Sequence, residues 1–187
     1  GLTLGSFGEN GRSFFDDLNQ GSSSSFLNAF LGGVIFNIAN LLIVAAISIA
    51  GMAVAFPIGI GIALVLGVIV NYIATPIGNP IILFSGVAIV TIAILIDAIA
   101  YKRLSINNKA TSSKGIIISI LGGILMGFFY RFVASSIITN FDSPEPGLLT
   151  PYSAVFIFSL GIFISNFLWN TYFMYNPIEG NKLSYSD

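Results

Sequence analysis

The chain has 187 residues, of which 55% are hydrophobic and only 8% are charged, whereas a soluble domain carries about 25% charged residues. Between Asp17 and Asp97 there is no acidic or basic residue, and a surface of that composition suits lipid rather than water. The net charge of -1 argues against nucleic-acid binding, and the absence of cysteine and histidine excludes disulfides, thiolate zinc sites and imidazole bases.

The apolar segments predict about five transmembrane helices, because each crossing of a bilayer core takes roughly 20 apolar residues. Runs such as IILFSGVAIVTIAILI do not alternate as the strands of a membrane barrel would, so an all-α membrane protein is expected. The spans are predicted at residues 26–49, 52–72, 81–100, 115–138 and 151–175. Gly51 is the only break between the first two, so their connection must be very tight.

The polar stretches divide the chain into a sequence of segments. Residues 1–6 have the character of the end of a preceding helix, so we expect a fragment of a longer protein, and a short amphipathic turn is expected at Phe14 and Phe15. We predict an extracytoplasmic polar segment at residues 1–25, followed by three spans within residues 26–101 and a basic loop at residues 102–114. Two further spans are predicted within residues 115–177, and a cytoplasmic tail at residues 178–187.

The charges of two loops predict the orientation in the membrane. The loop 102–114 carries four basic residues and no acid, and the loop after the fourth span carries Asp142 and Glu145 with no base. The positive-inside rule therefore places loop 102–114 in the cytoplasm and the acidic loop outside.

Arg131 is the most informative polar residue of the spans, because it is predicted well within the fourth span, where an arginine costs roughly 2.5–3.5 kcal/mol or more. It belongs to a stripe of small and polar residues at every fourth position: Ser119, Gly123, Gly127, Arg131 and Ser135. Such a stripe packs against other helices or lines a cavity. Arg131 anchors a polar or anionic solute, or its side chain extends to the outer interface or caps the carbonyls of a neighbouring helix.

Asparagines recur at helical spacing on two further spans. Gly33, Asn37 and Asn40 share one face of the first span, and Ser159, Asn166 and Asn170 share one face of the fifth, beside Trp169. An asparagine both donates and accepts, which suits recognition of sugars, amides or nucleobases. The alternatives are interhelical hydrogen bonds for the asparagines and an interfacial anchor for the tryptophan.

Asp97 lies near the cytoplasmic end of the third span, shortly before Lys102 and Arg103. It is a candidate for ion coupling or an inner gate, and the alternative is an interfacial carboxylate paired with those two bases. Pro57, Gly59 and Gly61 in the second span suggest a kink or local unwinding, which in transporters often accompanies a binding site.

Three stretches carry a family resemblance: the run from NAFLGGVIFNIAN through GVIVNYI, the GNP turn and the GVAIVTIAILIDAIAYKRL helix. Together they resemble the drug/metabolite transporter superfamily. More narrowly they resemble the ureide permeases and their bacterial sugar-uptake relatives, and KGIIISILGGILMGFFYRFVA and LTPYSAVFIFSLGIFISNFLWN continue the likeness. The resemblance implies ten helices in two inverted repeats of five, with three spans of this chain in the first repeat and two in the second. The loop SINNKATSSKG contains no Walker motif, so no nucleotide or other cofactor is expected.

These features predict a secondary active transporter, or a fragment of one, that moves a small polar metabolite such as a sugar, ureide or nucleobase by alternating access. The substrate is expected to contact Asn37, Asn40, Arg131, Asn166, Trp169 and Asn170, with protons or sodium as coupling ion. The resemblance implies a multi-pass protein of the bacterial inner membrane. The alternative is a non-transporting membrane scaffold. An intramembrane enzyme is not predicted, because Asp97 is the only carboxylate in any predicted span and cannot form an aspartyl pair within this chain. No metal site is predicted.

Overall fold

The computed structural model describes residues 12–104, 112–141, 143–177, 180–182 and 184, with residues 101, 102 and 104 described by their backbone. The described elements are helices: α1 (Phe14–Gln20), α2 (Ser23–Ala50), α3 (Met52–Ala74), α4 (Pro80–Leu104), α5 (Ser113–Ala134) and α6 (Pro151–Tyr175). Five of them, α2 to α6, are long and apolar enough to cross a membrane. The prediction of an all-α membrane protein is confirmed.

The helix ends follow local chemistry. Gly51 has a φ of 82°, a left-handed conformation that glycine adopts without strain, and it alone separates α2 from α3 as expected. The side chain of Asn79 accepts a 2.9 Å hydrogen bond from the amide of Ile81, and Pro80 occupies the first position of α4. Pro151 likewise occupies the first position of α6.

Two predicted boundaries differ from the structure. Within the polar segment 1–25, the short amphipathic turn predicted at Phe14 and Phe15 extends into a helix, α1, because Ser13 caps that helix by accepting a hydrogen bond from the amide of Asp16. The fourth span was expected to reach residue 138, but α5 ends at Ala134. There the hydroxyls of Ser135 and Ser136 donate to carbonyls of the last turn, and Ile137 forms a parallel bridge with Leu149.

The chain divides into two compact units. The first comprises the described residues within 1–37 and 129–168, and the second comprises those within 38–128 and 169–187. In the first unit, Ala29, Leu149 and Ala154 form a buried cluster against which Phe26, Ile137 and Ile157 pack. The rings of Phe36, Phe129 and Phe158 also lie together, with centroids 5.1–6.1 Å apart.

In the second unit, α3 and α5 approach closely through small residues. A Cβ added to Gly123 would lie 2.5 Å from the carbonyl oxygen of Gly59, and one added to Gly127 would lie 3.3 Å from the carbonyl oxygen of Ala63. Helix α5 also packs on the second half of α2, where Ala39 and Ile43 are buried. Helix α4 packs on α3, but no residue of its apolar span is fully buried within the described chain.

Candidate functional site

Arg131 lies in the last turn of α5 rather than well within the span, because the helix ends three residues later. Its side chain is partly buried, and no described residue accepts a hydrogen bond from it or pairs with its charge. A position near the end of the helix lowers the cost of an arginine in a membrane, since the long side chain can reach the interface.

The rest of the stripe on α5 is used for helix packing. Ser119 is fully buried and its hydroxyl donates to the carbonyl oxygen of Gly115 on the same helix, at 2.9 Å. Gly123 and Gly127 lie against α3, as described above. Of the two uses expected of the stripe, contact with another helix is the one that Gly123 and Gly127 show.

Asn37 is buried, and its amide donates a 3.0 Å hydrogen bond to the hydroxyl of Ser165 on α6. One turn earlier, Gly33 and Gly161 bring the two backbones together: a Cβ on either glycine would overlap a main-chain oxygen of the other helix. The Asn37 side chain therefore joins two closely packed helices. Ser165 was missed by sequence reasoning, because the predicted face of the fifth span was centred on Ser159, Asn166 and Asn170 instead.

The other predicted residues have more open surroundings. In the first unit, Asn166 is partly buried, and in the second, Trp169 and Asn170 are partly buried while Asn40 is exposed. Among the described residues, none donates to or accepts from these four side chains. Ser159 is exposed and its hydroxyl donates to the carbonyl oxygen of Val155 within its own helix. The structure thus joins Asn37 to a protein partner, whereas the side chains of Arg131, Asn40, Asn166, Trp169 and Asn170 have no hydrogen-bonding partner among the described residues.

Asp97 borders a cleft between α3 and α4 in the second unit. The cleft has a volume of about 240 Å³ and is lined by Met52, Phe56, Pro57, Ile60, Ile94 and Asp97. Arg103 is exposed, and no ion pair between it and Asp97 is present; the side chain of Lys102, the other expected partner, lies outside the described residues. No group of three or more metal-ligating side chains occurs in the described part of the chain.

A polar cluster in the first unit was not anticipated from the sequence. The carboxylate of Asp17 is fully buried, and its Oδ2 accepts hydrogen bonds from the amide and the hydroxyl of Thr150, at 2.8 and 2.9 Å. Its Oδ1 accepts from Gln20 at 3.2 Å and lies 3.4 Å from Nε of Arg12. That Nε makes an ionic contact without hydrogen-bond geometry, whereas the Arg12 Nη2 donates to the carbonyl oxygens of Glu145 and Leu148.

This cluster fastens α1 to the segment between α5 and α6. The side chain of Gln20 donates a hydrogen bond to the carbonyl oxygen of Leu148 and accepts one from the amide of Gly147. Because the carboxylate of Asp17 lies at the N-terminus of α6, it also interacts favourably with the dipole of that helix. The only sequence signal for this cluster was an Asp in a short polar segment close to a span. That signal does not identify a partner more than a hundred residues away.

Glu145 belongs to the same connecting segment. The hydroxyl of Thr139 donates to its carboxylate at 2.5 Å, and this hydrogen bond, followed by backbone hydrogen bonds, lowers the pKa of Glu145 below its ordinary value. The carboxylate is therefore ionised over the physiological pH range and holds the chain between Thr139 and Glu145 in a closed turn.

Comparisons with known proteins identify a family. The family model described as ureide permease matches residues 1–114. Ureide permease 1 of Arabidopsis thaliana is 32% identical over 109 residues, which make up 58% of this chain and 28% of the relative. No solved structure gives a significant match. The five candidate spans and the family match together define an integral, multi-pass membrane protein. The chain belongs to the ureide permease family.

Proposed function

We propose that the chain is part of a secondary active transporter that moves a small polar metabolite, such as a sugar, ureide or nucleobase, by alternating access. The name of the plant relative describes a permease, and the chain spans less than a third of that relative's length. Three spans would belong to the first of two inverted repeats and two to the second, with loop 102–114 in the cytoplasm. The matched relative comes from a plant, so location in a bacterial inner membrane stays a prediction.

The observation that carries this proposal is which polar side chains on the spans have a hydrogen-bonding partner and which have none among the described residues. Asn37 and Ser165 satisfy each other, but the partly buried Arg131 and Asn166 have no hydrogen-bonding partner among the described residues. A polar group on a membrane helix is costly unless it meets protein, water or a solute. Arg131 and Asn166 are therefore the first candidates for solute contact, and Asn40, Trp169 and Asn170 the next.

The test is uptake by the full-length protein, assayed with labelled sugars, ureides and nucleobases. Arg131→Ala and Asn166→Ala should each weaken solute affinity about 10- to 100-fold while folded yield stays unchanged, because a hydrogen bond to a charged or polar solute group is lost. Ser159→Ala is the matched control on α6, since among the described residues that hydroxyl bonds within its own helix, to Val155. Normal uptake by both variants would contradict the proposed site.

A non-transporting scaffold is the second candidate function. It is favoured by the glycine contacts between α2 and α6 and between α3 and α5, which are devices of helix packing. A scaffold predicts that no solute is taken up and that Arg131→Ala lowers folded yield rather than affinity. The same experiment therefore separates the two functions. Asp97, our candidate for a gate or for coupling to protons or sodium, is left unaltered in it.

A further inference from the structure

The cleft between α3 and α4 combines one carboxylate with apolar walls. Met52, Phe56, Pro57 and Ile60 of α3 face Ile94 and Asp97 of α4, and Asp97 is the only charged residue among these described lining residues. Its carboxylate has no hydrogen-bonding or ionic partner in the described part of the chain. Among the described residues, the cleft therefore has one exposed carboxylate at one end of an otherwise apolar surface.

The polar group of the cleft is an acceptor. The carboxylate of Asp97 accepts hydrogen bonds, and no donor side chain is present among the described lining residues. A ligand that suits the cleft must carry N–H donors and a positive charge.

The walls determine what the rest of the ligand must be. A volume of about 240 Å³ holds a small organic molecule. Phe56 and Met52 offer an aromatic ring and a thioether, which favour an apolar body and attract a cation near the ring. Calcium is a poor fit, because it requires roughly six or more oxygen ligands and the described lining residues supply far fewer.

We propose that the α3–α4 cleft binds a small organic ammonium ion, with its N–H groups on Asp97 and its apolar body against Phe56 and Ile60. The proposal rests on the geometry of the second unit and not on transport. Its failure would leave the proposed function in place, because the uptake experiment above alters no residue of the cleft.

The probe is labelled benzylammonium, measured by equilibrium dialysis against the purified chain in a neutral maltoside detergent. Asp97→Asn should weaken binding about tenfold or more, because it removes the charge while keeping the shape of the side chain. The control Asp16→Asn removes an exposed carboxylate on α1 and should leave binding unchanged. Ile60→Trp should also abolish binding, since it fills the cleft and leaves Asp97 in place; circular dichroism checks that each variant is folded.

Three results would overturn the proposal. One is equal binding of benzyl alcohol, the neutral isostere, which would show an apolar site without charge recognition. A second is unchanged binding by Asp97→Asn. The third is a tenfold loss of benzylammonium affinity when sodium replaces potassium at constant ionic strength, which would assign Asp97 to a metal ion.

Lipid could supply the same ammonium chemistry, and a further measurement distinguishes this source. The difference in benzylammonium binding between the parent chain and Asp97→Asn is compared in nanodiscs of phosphatidylglycerol and of phosphatidylethanolamine. We expect the same difference in both. Its loss in phosphatidylethanolamine would mean that a lipid headgroup occupies the cleft, and the proposed small-solute site would be wrong.

Discussion

Asn37 and Arg131 are both polar residues of spanning helices, but their side chains meet different surroundings. Asn37 is buried and bonded to Ser165, whereas Arg131 is only partly buried and has no partner among the described residues. A satisfied amide between two helices contributes to stability, while a guanidinium with no partner among the described residues is a candidate for ligand binding. The two residues should therefore respond to different assays.

A double-mutant cycle tests the structural role of Asn37. We expect Asn37→Ala and Ser165→Ala each to lower the free energy of unfolding by about 0.6–2 kcal/mol, the range of interhelical hydrogen bonds in membranes. The double variant should be less destabilised than the sum, because both changes remove the same bond. The measurement is unfolding by sodium dodecyl sulfate in mixed micelles. Strict additivity would mean that the 3.0 Å bond contributes nothing.

Asp17 provides the second prediction at this scale. Asp17→Asn should lower the free energy of unfolding by about 3 kcal/mol, because it leaves Arg12 and the donors of Thr150 and Gln20 without a buried anion. The neighbouring Asp16→Asn is the control and should cost only a few tenths of a kcal/mol, since Asp16 is exposed. Similar losses in the two variants, measured by the same unfolding assay, would show that burial of the Asp17 carboxylate is unimportant.

At the scale of elements, small residues determine how closely the helices approach. Gly33 and Gly161 allow contact between α2 and α6, and Gly123 and Gly127 allow contact between α5 and α3. Without a hydrophobic driving force between helices in lipid, van der Waals contact of this kind is a main source of association. The α-helix itself is determined by local sequence, but these contacts decide which faces of the helices meet.

Gly33→Ala tests the α2–α6 contact. The added methyl group would overlap the carbonyl oxygen of Phe158, which is backbone and cannot turn aside, so we expect a loss of about 1–3 kcal/mol in the free energy of unfolding. Gly86→Ala is the matched control, because nothing lies within 4 Å of the Cβ it would add to α4. That control should be neutral or stabilising by up to about 1 kcal/mol, through helix propensity.

At the scale of the whole molecule, the predicted orientation depends on loop charge. Because the chain contains no cysteine, single cysteines report on each loop without background. A membrane-impermeant maleimide should label Ser143→Cys in intact cells, and should label Ser113→Cys only after permeabilisation, because the basic loop is expected in the cytoplasm. Both serines are exposed, so labelling of Ser113→Cys in intact cells would reverse the orientation.

The sequence by itself determined the medium, the helices and the family resemblance. An uncharged stretch from residue 18 to residue 96 requires lipid, and Gly51, Pro80 and Pro151 mark helix ends through their own backbone chemistry. The later end predicted for α5 was wrong, because the hydrogen bonds of Ser135 and Ser136 and the bridge to Leu149 involve a distant segment that helical periodicity does not report.

Only the tertiary structure decided which polar residues are satisfied. Periodicity places Asn37 and Asn166 on faces of their own helices, but it does not say which neighbour each face meets. Contact with α6 gave Asn37 a hydrogen-bonding partner in Ser165, and the return of residues 145–150 to α1 buried Asp17. The physical reason is that a hydrogen bond depends on the distance between two atoms, and residues far apart in the chain acquire that distance only when the helices pack.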